Sequence, residues 1–289
     1  MEREHELGIV RRAFAKHVMA EAMVNDGRIE AAFAQVPRED FLGPGPWTMP
    51  RWPGVFVTTP AADPVYLYVD NVVQIIAERC LNNGHPSSHA LWIAAAAITK
   101  GEHVVHVGAG TGYYTAILAH LTGESGKVTA IELDPDLAGR TKANLASFAN
   151  VRVWQGNGFS MPFDAADVIY VNAGVTRPAD TWLDSLKEGG RLILPLTTNE
   201  SFPATDIPKI PKQGAMFRIE RRLGEFVVQW ISSVTIIPCE GGRDVSSELA
   251  LALAFARGGW QKVTRLHRTS DLPADRCWLR ALDWCLTYD

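Results

Sequence analysis

No run of apolar residues in this chain is long enough to cross a membrane. The charged opening Met1-Glu2-Arg3-Glu4-His5 is followed by no apolar stretch of the kind a secretory leader carries, so the expected compartment is the cytoplasm. Cysteine is scarce. Cys80, Cys239, Cys277 and Cys285 form no CxxC pair, which argues for free thiols and against a zinc site or a disulfide scaffold; no metal is expected. A strong excess of one charge is missing too: a formal net charge of −4 excludes the basic surface by which proteins hold nucleic acid. There is no internal repeat and no low-complexity tract. What remains is ordinary for a globular protein, 289 residues with 47% apolar and 21% charged, enough to bury one substantial enzyme core with additions at its ends.

Against that background the run from His106 to Gly112, His-Val-Gly-Ala-Gly-Thr-Gly, stands out. It follows an apolar strand pattern, His103 to Val107, and must turn sharply into a helix. Glycines at 108, 110 and 112 let backbone take unusual φ/ψ values and approach a ligand closely. The spacing is GxGxG, not the GxGxxG of dinucleotide sites, which tilts the reading from NAD towards S-adenosylmethionine held by Gly108, Gly110, Thr111 and Gly112. A second strand pattern, Lys127 to Leu133, carries Glu132 about twenty residues past the turn, where a carboxylate accepts hydrogen bonds from both ribose hydroxyls and repels a 2′-phosphate. NADP is disfavoured, and Leu133 falls beside the same ribose. Asp134 and Pro135 read as the cap and first-turn proline of a helix reaching to about Phe148. A third strand, Val151 to Gln155, runs into Gly156-Asn157-Gly158, where Asn157 and Gly158 are placed at the adenine edge or, alternatively, in an ordinary turn. Strands at Asp167 to Val171 and Arg191 to Leu196 flank a helix, Pro178 to Leu186. The βαβα alternation predicts a largely parallel, Rossmann-like sheet covered on both faces, with ligands at the carboxyl ends of the strands.

Several further stretches carry a family resemblance. Val36-Pro37-Arg38-Glu39-Asp40-Phe41 resembles a "VPRxxF" segment, Pro86 to Ala90 part of "SxPxxxA", Pro162-Phe163-Asp164 a "PFD", and Gly189-Gly190-Arg191-Leu192-Ile193-Leu194-Pro195 a "GGRLxxP". Paired strands at Phe217 to Ile231 and a final strand at Val234 to Pro238 look like the closing part of the same pattern. Over about residues 8 to 245 the chain resembles the class I S-adenosylmethionine-dependent methyltransferases, and within them the protein-L-isoaspartate O-methyltransferases. The resemblance implies an α/β, Rossmann-like class I sheet, S-adenosyl-L-methionine as cofactor, and methyl transfer to a carboxylate of a protein, peptide or related acceptor. It adds Asn83, Gly84 and His89 to the cofactor-side residues, and places Tyr66, Tyr68, Asp70, Asn71 and Ser88 as candidates for the substrate wall.

Two departures bear on the acceptor. The family pattern has a serine two residues before the proline aligned with Pro86; this chain has Gly84, and a serine restored there is expected to raise isoaspartyl methylation unless Gly84 needs a positive φ. Ser87 and Ser88 lie on the other side of the proline and read as helix caps. His106 stands where the glycine motif has its first acid. A carboxylate acceptor needs no general base, whereas an alcohol or phenol does, and no catalytic residue announces itself. The other functional classes are a small-molecule O- or N-methyltransferase, a noncatalytic S-adenosylmethionine-binding module and an NAD-dependent oxidoreductase.

The organisation expected is residues 1–80 as N-terminal helices and substrate-side cover, 81–245 as the cofactor-binding core and 246–289 as a C-terminal appended subdomain. Helical periodicity runs from His5 to Gln35 and breaks at Asn25-Asp26-Gly27, with Asp26 as a cap. Gly43 to Pro60 reads as a long connection, and Tyr66 to Ile76 as a strand by its Tyr66/Tyr68 alternation. The loop Thr197 to Gln213, with three prolines, reads as a flap beside the active-site edge or as a surface loop stiffened by proline; the helix Ser247 to Ala256 and a strand Lys262 to His267 fill the C-terminal segment, where Trp278 and Trp284 dock on the core, line a substrate pocket or form a dimer contact. Oligomeric state is left open by the sequence.

Overall fold

The computed structural model describes residues 2–51, 54–198 and 213–289. In chain order the elements are α1 (Glu2–Glu21), α2 (Gly27–Gln35), β1 (Thr48–Arg51), β2 (Val55–Thr58), β3 (Gln74–Ile76), β4 (Leu81–Asn82), α3 (Pro86–Ala96), β5 (His103–Val107), α4 (Tyr113–Thr122), β6 (Lys127–Glu132), α5 (Pro135–Asn144) and β7 (Val151–Gln155). They continue with β8 (Ala166–Val171), α6 (Asp180–Ser185), β9 (Leu186–Thr197), β10 (Gly214–Arg222), β11 (Glu225–Ser233), α7 (Val245–Arg257), β12 (Arg265–His267), β13 (Cys277–Arg280) and β14 (Cys285–Thr287). The chain forms two compact units, Met1–Glu102 with Ala109–Gln155, and His103–Gly108 with Gly156–Asp289.

In the first unit the expected helical pair is present. Asp26 caps α2 by accepting the Arg28 N–H, which supplies one of the acceptors a helix start needs. Phe14 of α1, Phe33 of α2, Tyr68 and Tyr113 of α4 meet edge to face with centroids 5.5–6.4 Å apart, tying both helices to α4. Strands β6 and β7 are parallel, with Ile131 opposite Trp154 and Glu132 opposite Gln155, and α5 is the crossover between them. Asp134 caps α5, accepting from Asp136 and Leu137, and the helix ends at Asn144, one turn short of Phe148. The 43–60 connection contains the antiparallel hairpin β1–β2, seated on Leu42, Trp47, Met49, Leu67 and Val73.

The expected strand Tyr66 to Ile76 is corrected. Pro64–Leu67 is a turn of 3₁₀ helix whose start is capped by Asp63, and only Gln74–Ile76 is strand. Asp63 followed by Pro64 is a helix-start signal, and it outweighs the alternation of two tyrosines.

The second unit holds β5, β8 and β9 in parallel, then β10, β11, β12, β14 and β13 added antiparallel in that order. Strand β9 is longer than expected, starting at Leu186 instead of Arg191. Val234 to Pro238 forms no named strand: Pro238 makes an isolated bridge to Gly174, and a residue without an N–H cannot extend a ladder. The C-terminal strands continue the sheet from β11. Trp278 is fully buried against Phe217 and Phe255, with its indole N–H on the Ala254 carbonyl at 3.2 Å, and Trp284 is buried as well. Both units thus carry parallel strands joined by helices, the arrangement expected of a Rossmann-like α/β fold. The proposed flap lies almost wholly outside the described residues. No described helix is long and apolar enough to cross a membrane.

Candidate functional site

In the first unit, β6 ends at Glu132, which is buried. One carboxylate oxygen accepts the Gly110 N–H at 2.7 Å and the other the Asp134 N–H at 3.0 Å. Burial raises the Glu132 pKa above the usual carboxylate value, and those two backbone donors oppose the shift. A carboxylate has about four lone-pair positions, so both oxygens retain acceptor capacity. The turn is fixed from α5: Thr141 Oγ1 donates to the Gly110 carbonyl at 2.5 Å and Asn144 Nδ2 to that of Thr111 at 2.9 Å.

Gly110 has φ +61°, and a Cβ built on it meets no atom of the other described residues within 4 Å. The glycine is required by conformation, and the space its missing side chain leaves is open. Gly112 is the N-cap of α4, and Thr111 is buried beneath the turn. Leu133 is partly exposed, its carbonyl taking the Gln155 amide at 3.4 Å.

Around α3 the assigned residues divide. Gly84 has φ +80°, and a Cβ there would stand 2.3 Å from His89 Nε2 and 3.3 Å from the Tyr114 ring. His89 is buried and stacked on Tyr114 at 3.5 Å, while the Tyr114 hydroxyl donates to the Gly84 carbonyl at 3.1 Å. The condition attached to Gly84→Ser is therefore met: the glycine needs its positive φ, and the imidazole occupies the room a side chain would take. Gly84→Ser should lower stability by about 2–5 kcal/mol, the sum of left-handed strain and overpacking, with part of the loss recovered in Gly84→Ser/His89→Ala. Urea denaturation of the three proteins checks this; a single variant as stable as the parent would show that the turn relaxes.

Asn83 spends its carboxamide oxygen on the Val73 N–H at 2.7 Å and on Arg38 at 3.4 Å; its buried Nδ2 has no partner among the described residues. Tyr68, a candidate for the substrate wall, is buried. Its hydroxyl accepts from Arg11 Nε at 2.9 Å and donates to Glu39, and burial followed by the Glu39 carboxylate pushes its pKa well up. Asn71 is likewise used locally, donating to the Pro50 carbonyl and accepting the Val72 N–H. Tyr66 is exposed and Ser88 half-buried on α3.

In the second unit, Gly108 has φ +79° and its carbonyl accepts the Asn172 amide at 3.3 Å. His106 is fully buried in β5 with its pKa pushed down to about 3 by burial, so it is a neutral ring edge-on to Tyr170 and supplies no charge. Asn157 makes the turn itself, its side-chain oxygen accepting the Phe159 N–H at 3.0 Å, and the Gly158 carbonyl anchors the Trp182 indole at 2.7 Å. The described residues contain no group of His, Cys, Asp and Glu arranged to hold a metal, and the four cysteines are free.

Sequence reasoning missed two groupings. Arg38, fully buried, donates to the carbonyls of Leu67, Val69 and Asn71 and so holds the cover segment; the "VPRxxF" pattern was its signal. His85, Ser87 and Asp70 meet at the start of α3, which their separation in sequence did not suggest.

The chain is 32% identical over 174 residues to the protein-L-isoaspartate O-methyltransferase of Thermotoga maritima, covering 58% of this chain and 50% of that one, so it spans half the length of that relative. With the enzyme of the same name from Ignicoccus hospitalis it shares 25% identity over 232 residues, 79% of this chain and 96% of the other. A solved protein-L-isoaspartate O-methyltransferase structure superposes with TM-score 0.65 at 25% identity, covering 90% of this chain and 74% of that one. The sequence model of the family Protein-L-isoaspartate(D-aspartate) O-methyltransferase matches residues 11–230. With that match covering well over half of its length, and the "VPRxxF" arginine and the glycine turn placed as described, the chain belongs to the protein-L-isoaspartate(D-aspartate) O-methyltransferase family.

Proposed function

We propose that this protein is an S-adenosylmethionine-dependent O-methyltransferase that acts on a carboxylate of a protein, peptide or related acceptor. The observation that carries the reading is Glu132, buried at the end of β6, held through each oxygen by one backbone N–H, and set beside the open side of Gly110. A fixed, anionic double acceptor suits a ribose diol and repels a 2′-phosphate. The cofactor would supply an electrophilic methyl group on a sulfonium. The chain's part is to hold the ribose on Glu132, keep backbone near Gly110 clear for close approach, and orient the acceptor oxygen, since in a direct displacement positioning is most of the catalysis. A carboxylate acceptor is already ionised at neutral pH and needs no general base. Free thiols support the cytoplasm as the place of action.

Glu132→Ala should weaken S-adenosylmethionine binding by about tenfold to a hundredfold, because charge-assisted hydrogen bonds to the ribose are worth about 1.5–3 kcal/mol. Calorimetry on the purified variant measures it, alongside methyl ester formation on peptides bearing aspartyl, isoaspartyl, glutamyl and C-terminal carboxylates. Unchanged affinity would remove Glu132 from the site. Methylation of none of these peptides would favour the second reading, a small-molecule O- or N-methyltransferase, which the glycine at 84 and the His89 ring beside it support.

A further inference from the structure

Position 84 offers an acceptor nothing, because its backbone conformation calls for glycine and His89 fills the adjoining space. The polar side chains that follow on the same stretch are His85 and Ser87, and the fold brings a third group to them. His85 Nδ1 lies 3.2 Å from Ser87 Oγ and 3.4 Å from an Asp70 carboxylate oxygen, and that same oxygen accepts the Ser87 backbone N–H at 2.8 Å. Asp70 is held in place by this bond, and its side chain is only 9% exposed, whereas that of His85 is 42% exposed. The imidazole is thus gripped at its Nδ1 edge by a largely buried carboxylate and a hydroxyl, and no described residue bonds Nε2.

The protonation forms of the ring decide what that free edge can do. In the imidazolium, Nδ1–H is directed to Asp70 or Ser87 and Nε2 carries a hydrogen. In the neutral form whose Nδ1 accepts the Ser87 hydroxyl proton, Nε2 again carries a hydrogen. A third form, the neutral ring that donates Nδ1–H to Asp70, leaves Nε2 an acceptor; the first two present a donor from a ring whose orientation is fixed by its other nitrogen, and a carboxylate placed at Nε2 selects those two. A carboxylate acceptor needs a donor to fix its oxygens and no base to activate them.

We propose that His85, oriented by Asp70 and Ser87, binds the acceptor, donating from Nε2 to the carboxylate that is methylated and supplying the hydrogen-bond donor that Gly84 cannot. The assignment rests on the carboxylate reading above. It makes His85 a substrate-binding residue and Asp70 its positioning residue, and it places acceptor selection at the first turn of α3.

The test compares the parent protein with His85→Ala and His85→Gln, using the same four classes of carboxylate peptide and reading released methanol together with S-adenosylhomocysteine affinity by calorimetry. For the peptide best methylated by the parent, His85→Ala should raise KM by about tenfold or more, the loss of one hydrogen bond to a charged group. Its kcat should stay within about twofold and its S-adenosylhomocysteine affinity should not change. His85→Gln, whose amide N–H reaches toward the Nε2 position, should recover most of the KM. A purely structural helix-start role predicts no such split and no rescue. Equal KM in the parent and His85→Ala overturns the proposal and leaves the methyltransferase reading standing. A parent that binds S-adenosylhomocysteine but esterifies no carboxylate overturns the carboxylate reading and this assignment with it.

Discussion

Gly110→Val should abolish S-adenosylmethionine binding in a chain that still folds. The residue sits at φ +61°, where a β-branched side chain is a strong outlier, and its Cβ direction points into space that no described residue fills. Strain alone costs about 1–2 kcal/mol, which a domain of this size tolerates. The loss of binding has two further sources. Branched carbons would stand where the ligand must approach backbone, and any shift of the turn disturbs the Gly110 N–H that orients Glu132 at 2.7 Å. Gly110→Ala separates the causes, carrying the conformational strain with a single methyl group. The expected order in calorimetry is parent, then Ala with reduced affinity, then Val with none detectable, while circular dichroism and melting show all three folded. Valine binding within about threefold of the parent, less than about 0.7 kcal/mol, would show that the turn is not the cofactor cradle.

Arg38→Ala should destabilise the first unit by about 3–5 kcal/mol, the combined cost of a cavity and of buried acceptors left without donors. The guanidinium is fully buried, 5.7 Å from the centroid of the Phe14 ring, and its bonds reach Val69 O at 3.0 Å, Asn71 O at 2.6 Å and Asn83 Oδ1 at 3.4 Å in addition to Leu67 O. These carbonyls lie in a segment with no ladder of its own, so the arginine acts in place of a strand partner. Arg38→Lys should recover only part of the loss, because an ammonium cannot reproduce a planar fork spread over several acceptors. Arg12→Ala, on the exposed side of α1, is the control and should fall within about 0.5 kcal/mol of the parent. Urea denaturation measures all three; an Arg38→Ala protein as stable as the control would mean the segment is held by its apolar contacts instead. Hydrogen exchange at Leu67 to Asn71 should rise first in this variant, since it loses its anchor.

The second expectation explains why the "VPRxxF" segment was legible as a family mark and opaque as chemistry. An arginine between a proline and an acid reads as surface in a linear sequence. Only the return of the chain from Pro64 to Asn71 across it turns the same residue into a fully buried cation that reaches four acceptors. The hydroxyl of Tyr68, a residue that the family resemblance set on a substrate wall, was opaque for the same reason: Arg11 and Glu39, distant in sequence, claim it.

Local rules determined the rest. Alternating strand and helix patterns, the Asp134-Pro135 and Asp26 caps, the glycine turn and the acid that follows it all depend on interactions between near neighbours or on periodicity, so they could be read from order alone, and β5, β6 and β7 fall within one residue of their expected bounds. The tertiary structure alone decided two matters. Gly84 is required by its left-handed backbone and by the His89 ring, so no serine can be put back there without strain. Asp70, His85 and Ser87 converge at the start of α3, although fourteen residues of loop and strand separate the first two. Each depends on which distant groups share a volume or a hydrogen bond, and neither composition nor spacing carries that information.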